Sequence, residues 1–155
     1  MPLLLLLGTL SLFAWISTQR TPTVEGTPVT PIDPNDPHNV LAEVEPELAG
    51  DVRSFLTDAR AMGKPCYAYY GLRSVKDEQK AIDSGNSSLT DPHNSLHVAD
   101  SNGLANAVDV WPEGLPFSAD VSAREQLISL EPIMARYGLV NLPRIGDFGH
   151  LQRAT

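Results

Sequence analysis

The sequence is sparing with several residue types, and each shortage narrows what the chain can be. It has one cysteine, Cys66, so no intrachain disulfide can form. Lying in an apolar run, Cys66 reads as a small buried hydrophobe rather than a reactive thiol. Aromatic residues make up 6 % of the chain, which leaves the core to aliphatic side chains. Basic residues number 11 against 19 acidic ones, for a formal charge of −8, and they form no cluster. Phosphate neutralisation supplies most nucleic-acid affinity, so DNA and RNA are poor candidate partners. No apolar run reaches the ~20 residues of a full membrane span.

The nearest approach to a span is at residues 3–16. Only Gly8, Thr9 and Ser11 interrupt its apolar character, and no charge follows until Arg20. Leu3 to Leu7 are consecutive leucines without a polar face, which argues against an amphipathic core helix. The segment is long for a signal-peptide core of about 7–15 residues and short for a span. Residues 1–20 are therefore expected to be an export signal or weak membrane anchor, with Trp15 suited to a membrane interface. Pro22, Pro28, Pro31, Pro34 and Pro37 follow. Proline this dense blocks helix and sheet, so residues 21–39 read as an extended linker that includes a solvated His38.

The globular domain is expected over residues 40–155. Pro46 suits the first turn of a helix. Leu48, Val52, Phe55, Leu56, Ala59 and Met62 follow at helical spacing, with Gly63 as the stop. A short strand is predicted at residues 65–70 and a helix at 75–82, opened by the capping-box pair Ser74 and Asp77. Residues 83–102 are rich in Ser, Asn and Gly and read as a long, functional loop. A strand at 105–111 precedes a helix with a capping box at Ser122 and Glu125. Leu127, Ile128, Met134 and Tyr137 should face inward there, and Pro132 should kink or split it. Closing strands are expected at 139–142 and 148–152. This order indicates an α+β fold, a small antiparallel sheet with flanking helices, rather than alternating βαβ units.

The chemistry is expected at the histidines and at two aspartates. Asp109 sits in the apolar strand Ala107-Val108-Asp109-Val110-Trp111, where a carboxylate is costly unless paired or metal-bound. With a period of two it should face away from Val108 and Val110. His93 and His97 lie before that strand, and His150 closes the chain with Asp147 three residues ahead of it. Two histidines and one carboxylate with a position left for water form a catalytic zinc arrangement. An aspartate three residues before such a histidine can reach the attacking water if the chain turns or bulges between them. Trp111 is expected in the core. Lys76, Asp77, Glu78 and Lys80 are expected on one solvated helix face.

Three separated segments, taken in order, resemble one family. Gly71-Leu72-Arg73-Ser74 followed by Gln79 resembles its G-[YF]-R-S segment. Ser95-Leu96-His97, then Ala105-Asn106-Ala107-Val108-Asp109, resembles its S-x-H-x-x-G-x-A-x-D signature. Asp147-Phe148-Gly149-His150-Leu151-Gln152 resembles its closing [DE]-x-x-H-[FL]-[QE]. That family is the zinc D-alanyl-D-alanine carboxypeptidases and L-alanyl-D-glutamate endopeptidases. It includes VanY-like enzymes and phage endolysins and shares the hedgehog-type fold. The resemblance implies Zn²⁺ held by His97, Asp109 and His150, with Asp147 as general base. Arg73 would steady the scissile carbonyl or a substrate carboxylate, Ser95 would support the metal site or substrate, and Gln79 would join helix to loop. The step from His97 to Asp109 is longer than usual, so residues 98–103 read as an insertion, with Ala105 standing where the family has Gly. His93 is the rival ligand but lacks a serine two residues before it. Asn141 to Ile145 replace the usual aromatic stretch before the last motif, and Arg144 could add charge there.

The expected function is hydrolysis of an amide bond in peptidoglycan stem peptides, by a monomer exported to the periplasm or anchored facing the cell wall. Both the L-Ala–D-Glu and the D-Ala–D-Ala bonds stay open. The competing expectation is a non-catalytic zinc-containing cell-wall binding module of the same fold.

Overall fold

Apolar residues at helical spacing, followed by a short β-rich stretch, recur twice along the domain and form two helix-to-sheet passages. The computed structural model describes residues 32–143 and 146–154. The expected anchor, residues 21–31 of the expected linker, and Arg144 lie outside them. Among the described residues there are three α-helices: α1 (Pro46–Ala61), α2 (Val75–Asp83) and α3 (Asp120–Arg136). Four strands, β1 (Cys66–Tyr70), β2 (Val108–Pro112), β3 (Leu139–Leu142) and β4 (Asp147–Arg153), form one sheet in the order β1-β2-β4-β3. Every pairing is antiparallel. The architecture is α+β, as the order of elements indicated. No described helix is long and apolar enough to cross a membrane.

α1 and α3 pack on each other and on one face of the sheet. Val52, Phe55 and Leu56 of α1 meet Leu127, Leu130 and Met134 of α3 in a core with Val108, Val110 and Leu151. α1 starts where Pro46 needs no amide donor and the Glu45 carboxylate accepts from the amides of Glu47 and Leu48. It ends at Gly63, whose φ of 73° is a left-handed conformation that favours glycine. Cys66 is fully buried, and burial pushes its thiol up to about 11, as its reading as a core hydrophobe requires.

Some local expectations fail for physical reasons. Met62 follows the last helical turn and is 57 % exposed. α3 starts at Asp120, so Ser122 lies inside it and the Ser122–Glu125 pair caps nothing. The helix runs through Pro132 without splitting. Proline lacks the N–H that would bond the Ile128 carbonyl, but both residues lie on the solvent side, where water can serve that oxygen. Ile128 is accordingly exposed rather than inward. Tyr137 does pack against the core, as expected, and its hydroxyl donates to Asp58 Oδ2 of α1 at 2.8 Å.

Part of the expected linker belongs to the domain. Asp36 is buried and accepts from the amides of Val40 and Leu41 at 2.6 and 3.1 Å. The Asn35 carbonyl accepts from Ala68 N at 2.8 Å, fixing this segment against β1. A short polar side chain that caps a turn can dock a proline-rich segment that pattern alone reads as extended.

The sheet's second face carries the polar residues. β2 sets Asp109 directly opposite His150 of β4, and Tyr70 of β1 opposite Asp109. Gly149, beside His150, permits this close pairing, since a Cβ there would stand 2.9 Å from the Val110 carbonyl oxygen. Gly149→Ala should therefore destabilise the fold by about 1–3 kcal/mol, as overpacking does. Thermal unfolding checks this, and an unchanged midpoint would mean that the strands are not so tightly apposed.

Candidate metal centre

Strand alternation aims Asp109 away from the core, since Val108 and Val110 are fully buried on the other face. The same alternation on β4 buries Leu151 and turns His150 toward Asp109. His97 comes from the long loop. Its backbone is clipped there by Arg73 N, which donates to His97 O at 2.7 Å. Three ligand atoms converge. His97 Nε2 lies 3.1 Å from His150 Nδ1 and 3.2 Å from Asp109 Oδ1, and His150 Nδ1 lies 3.7 Å from Asp109 Oδ1. Donors ~2.0–2.1 Å from a tetrahedral ion stand ~3.3–3.4 Å from one another. The three separations bracket that value.

The proton positions make the fit sharper. His97 Nδ1 lies 2.8 Å from the Gly71 carbonyl, which can only accept, so that nitrogen carries the proton. His150 Nε2 lies 3.1 Å from Gln152 Oε1 and donates to it in the same way. In the neutral rings both inward nitrogens are then lone pairs. Asp109 Oδ1 is buried and has no hydrogen-bond partner. With both rings neutral, three electron-rich atoms face one another, an arrangement that a divalent cation satisfies. Two imidazoles and a carboxylate are a donor set suited to zinc. Gly71 is needed for this second layer: a Cβ on it would meet Val40 Cγ1 at 2.8 Å.

Electrostatics at the site follow from burial and crowding. Burial pulls His97 down, but the adjacent Asp109 carboxylate and the Gly71 carbonyl outweigh it and hold the imidazole above its ordinary value. Burial and the neighbouring His97 ring hold His150 below its own. Asp147 opens to the same cleft, and its Oδ1 accepts from His150 N at 3.2 Å. Desolvation, with the nearby Asp109 charge, raises its carboxyl above the usual carboxylate range. The register between β3 and β4 slips between Val140 and Leu142. That bulge lets Asp147 and His150 address one cleft although they stand three positions apart.

Arg73 also lines the cleft. Its Nη1 donates to Glu78 Oε2 at 2.6 Å, and its guanidinium lies 4.8 Å from the Tyr70 ring centroid. Glu78 corrects the sequence reading: expected on a solvated face, it is 1 % exposed. Burial would raise its carboxyl, but Arg73, Ser87 and Ser95 hold it below the ordinary value. Its position was legible in principle. It falls between Val75 and Ile82 on the apolar stripe of α2, where a carboxylate needs a partner. Gln79, expected to join helix to loop, instead bonds Asp83 within α2 on the exposed side. Ser95 is buried, and its hydroxyl accepts from His97 N at 3.3 Å, holding the loop turn that presents His97.

The two candidate histidines stand in different places. His93 sits exposed in a 3₁₀ turn, Pro92–Asn94, outside the cluster. Residues 98–103 loop out as a closed turn, with Asp100 Oδ1 accepting from Asn102 N and Leu104 N at 2.7 and 3.2 Å. Asn106 N donates to Leu96 O at 2.7 Å across its base. The longer step therefore leaves His97 beside Asp109. Trp111, expected in the core, shares the Asp109 face and packs against Tyr69 and Phe117.

The cluster lies in a cleft of about 700 Å³, whose walls include Tyr69, Arg73 and Asp147. Two imidazoles, a carboxylate and a free carboxylate beside them in an open cleft make the chemistry of a mononuclear metal hydrolase available. The fold matches solved peptidoglycan-peptidase structures. Serratia marcescens L-Ala D-Glu endopeptidase ChiX aligns at 19 % identity and TM-score 0.50, covering 75 % of this chain and 84 % of that one. The vancomycin-resistance D,D-pentapeptidase VanY, in complex with Zn(II), aligns at 16 % identity and TM-score 0.54, covering 72 % and 73 %. The LD-carboxypeptidase LdcB, whose structure addresses peptidoglycan recognition, aligns at 16 % and 0.54, covering 71 % and 58 %. No protein-family model and no curated protein matches the sequence.

The purified chain should carry one zinc. His97→Ala and His150→Ala should each lose it, whereas His93→Ala should keep it. Metal content by mass spectrometry checks this, and zinc retained in both site variants would place the metal elsewhere.

Proposed function

We propose that the chain is a zinc-dependent peptidase that hydrolyses an amide bond in peptidoglycan stem peptides. The observation that carries this reading is the convergence of His97 Nε2, His150 Nδ1 and Asp109 Oδ1 in a cleft that Asp147 also enters. The zinc complex of a VanY enzyme with the same fold supports the choice of metal.

When bound, zinc supplies Lewis acidity, polarising a carbonyl and lowering the pKa of water towards ~7. The remaining work falls to side chains. Asp147, already raised above the usual carboxylate range, accepts the proton of the attacking water and returns it to the leaving nitrogen. Arg73 spends Nη1 on Glu78. A guanidinium has five N–H donors, so others remain for the scissile carbonyl or a substrate carboxylate. The Glu78 bond and the Tyr70 ring fix its orientation, so little freedom is lost when substrate arrives. Ser95 acts through the turn that presents His97. Peptide stems lie outside the cytoplasm, so the enzyme is exported, and residues 3–16 serve as its signal or weak anchor.

The same fold in an L-Ala D-Glu endopeptidase, a D,D-pentapeptidase and an LD-carboxypeptidase leaves the cleaved bond to be set by the cleft walls. Mass spectrometry of digested peptidoglycan identifies it. Asp147→Asn should keep its zinc and lose about a hundredfold or more in kcat. Hydrolysis undiminished in that variant would reject the base, and a zinc-loaded wild type that releases no peptide would favour a binding module.

A further inference from the structure

Beside the metal cleft lies a group of aromatic rings that the hydrolytic machinery does not use. Phe117 and Val121 are 59 % and 62 % exposed, a heavy exposure for large apolar side chains. Phe117 packs against Trp111 at 5.1 Å and Tyr69 at 5.3 Å between ring centroids. Trp111 spends its indole N–H on the Leu115 carbonyl at 2.9 Å, so it offers a ring face rather than a donor. A second cavity of about 280 Å³ opens here, lined in part by Tyr69, Trp111, Val121 and Phe148. It shares Tyr69, Gly146 and Asp147 with the metal cleft, so one ligand can occupy both.

We propose that this shelf binds a pyranose ring of the glycan strand that bears the stem peptide. The identity of the glycan rests on the peptidase reading. The recognition chemistry rests on the shelf itself. A pyranose has an apolar C–H face and a rim of hydroxyls. Tyr69 and Trp111, which line the cavity, suit the face, and Phe117 packs on both rings and holds them. Asp120 and Arg124 suit the rim: they stand one turn apart on α3 and both line the cavity. Neither makes an ion pair among the described residues, and the Arg124 guanidinium lies 5.6 Å from the Phe148 ring centroid. Planar carboxylate and guanidinium groups can each bond two adjacent hydroxyls. Their opposite charges offset, which fits a neutral, hydroxyl-rich ligand better than an anion or a cation.

The consequence concerns the bond that is cut. A stem peptide joins the glycan through its amino end, at L-Ala. Extended chain advances about 3.3–3.6 Å per residue, so with a sugar on the shelf the amides nearest the glycan are the ones that fall in the adjoining cleft. The D-Ala–D-Ala bond at the far end would lie well beyond it. The shelf thus selects the L-Ala–D-Glu bond.

Two measurements on the full-length, zinc-loaded chain test this. In the first, glycan strands stripped of peptide, with the carboxylates so exposed capped as methylamides to keep them neutral, are titrated against the protein by isothermal calorimetry. They should bind, Phe117→Ala should bind about tenfold more weakly, and Phe117→Tyr should restore the affinity. In the second, kcat/KM is compared between a disaccharide-linked stem peptide and the same free peptide. The linked substrate should be preferred about tenfold, and the ratio should fall towards one in Phe117→Ala. Stripped glycan that does not bind, or binds Phe117→Ala as tightly, overturns the proposal even where peptide hydrolysis proceeds. Glycan binding through Phe117 without hydrolysis of either peptide upholds the shelf and overturns the peptidase reading instead.

Discussion

Three lone pairs aimed at one another are costly, and the fold is arranged so that they cannot turn away. His97 Nε2, His150 Nδ1 and Asp109 Oδ1 are held within 3.7 Å of each other by bonds on their far sides. The Gly71 carbonyl takes the outer proton of one ring and Gln152 that of the other. Asp109 is held by its strand, with fully buried Val108 and Val110 anchoring either side. Freed from these constraints, each polar atom would seek water. Close approach at Gly71 and Gly149 is part of the same arrangement, because both glycines sit where a methyl would force the backing elements apart. The core of α1, α3 and one sheet face supplies the rigidity against which a convergent polar cluster can be kept.

Around that cluster the cleft is charged unevenly. Burial, with the nearby Asp109 charge, raises the Asp147 carboxyl. At another part of the wall Arg73 and the buried Glu78 neutralise each other at 2.6 Å. A buried ion pair is weak support for stability but holds geometry well. Here it fixes a guanidinium on the wall of the cleft. Tyr69 stands between these groups. Burial and the carboxylates of Asp109 and Asp147 push its phenol above the ordinary value, so it remains a neutral donor and ring at the junction of both cavities.

Much of this was legible in the sequence, and the reason is periodicity. A carboxylate between two valines in an alternating strand had to face away from the core, and Asp109 does. α1 and its glycine stop followed from helical spacing and cap chemistry, as did α2 with its Ser74 cap. The bulge that brings Asp147 and His150 to one cleft was a stated condition of the reading, and the β3–β4 register meets it. What escaped depends on contacts between distant segments. Glu78 looks solvated until Arg73 and Ser95 are placed beside it. Asp36 looks like linker until its carboxylate is seen capping the turn at Val40. Trp111 looks like core until the cleft is known to occupy the same face of the sheet as Asp109. In each case tertiary packing decided the environment.

X-ray absorption at the zinc edge on the metal-loaded chain tests the central claim most directly. The account predicts two imidazole nitrogens, with their outer-shell ring scattering, and oxygens to complete a four-coordinate shell at ~2.0–2.1 Å. A sulfur shell at ~2.3 Å, or a shell of oxygens without imidazole scattering, would contradict it.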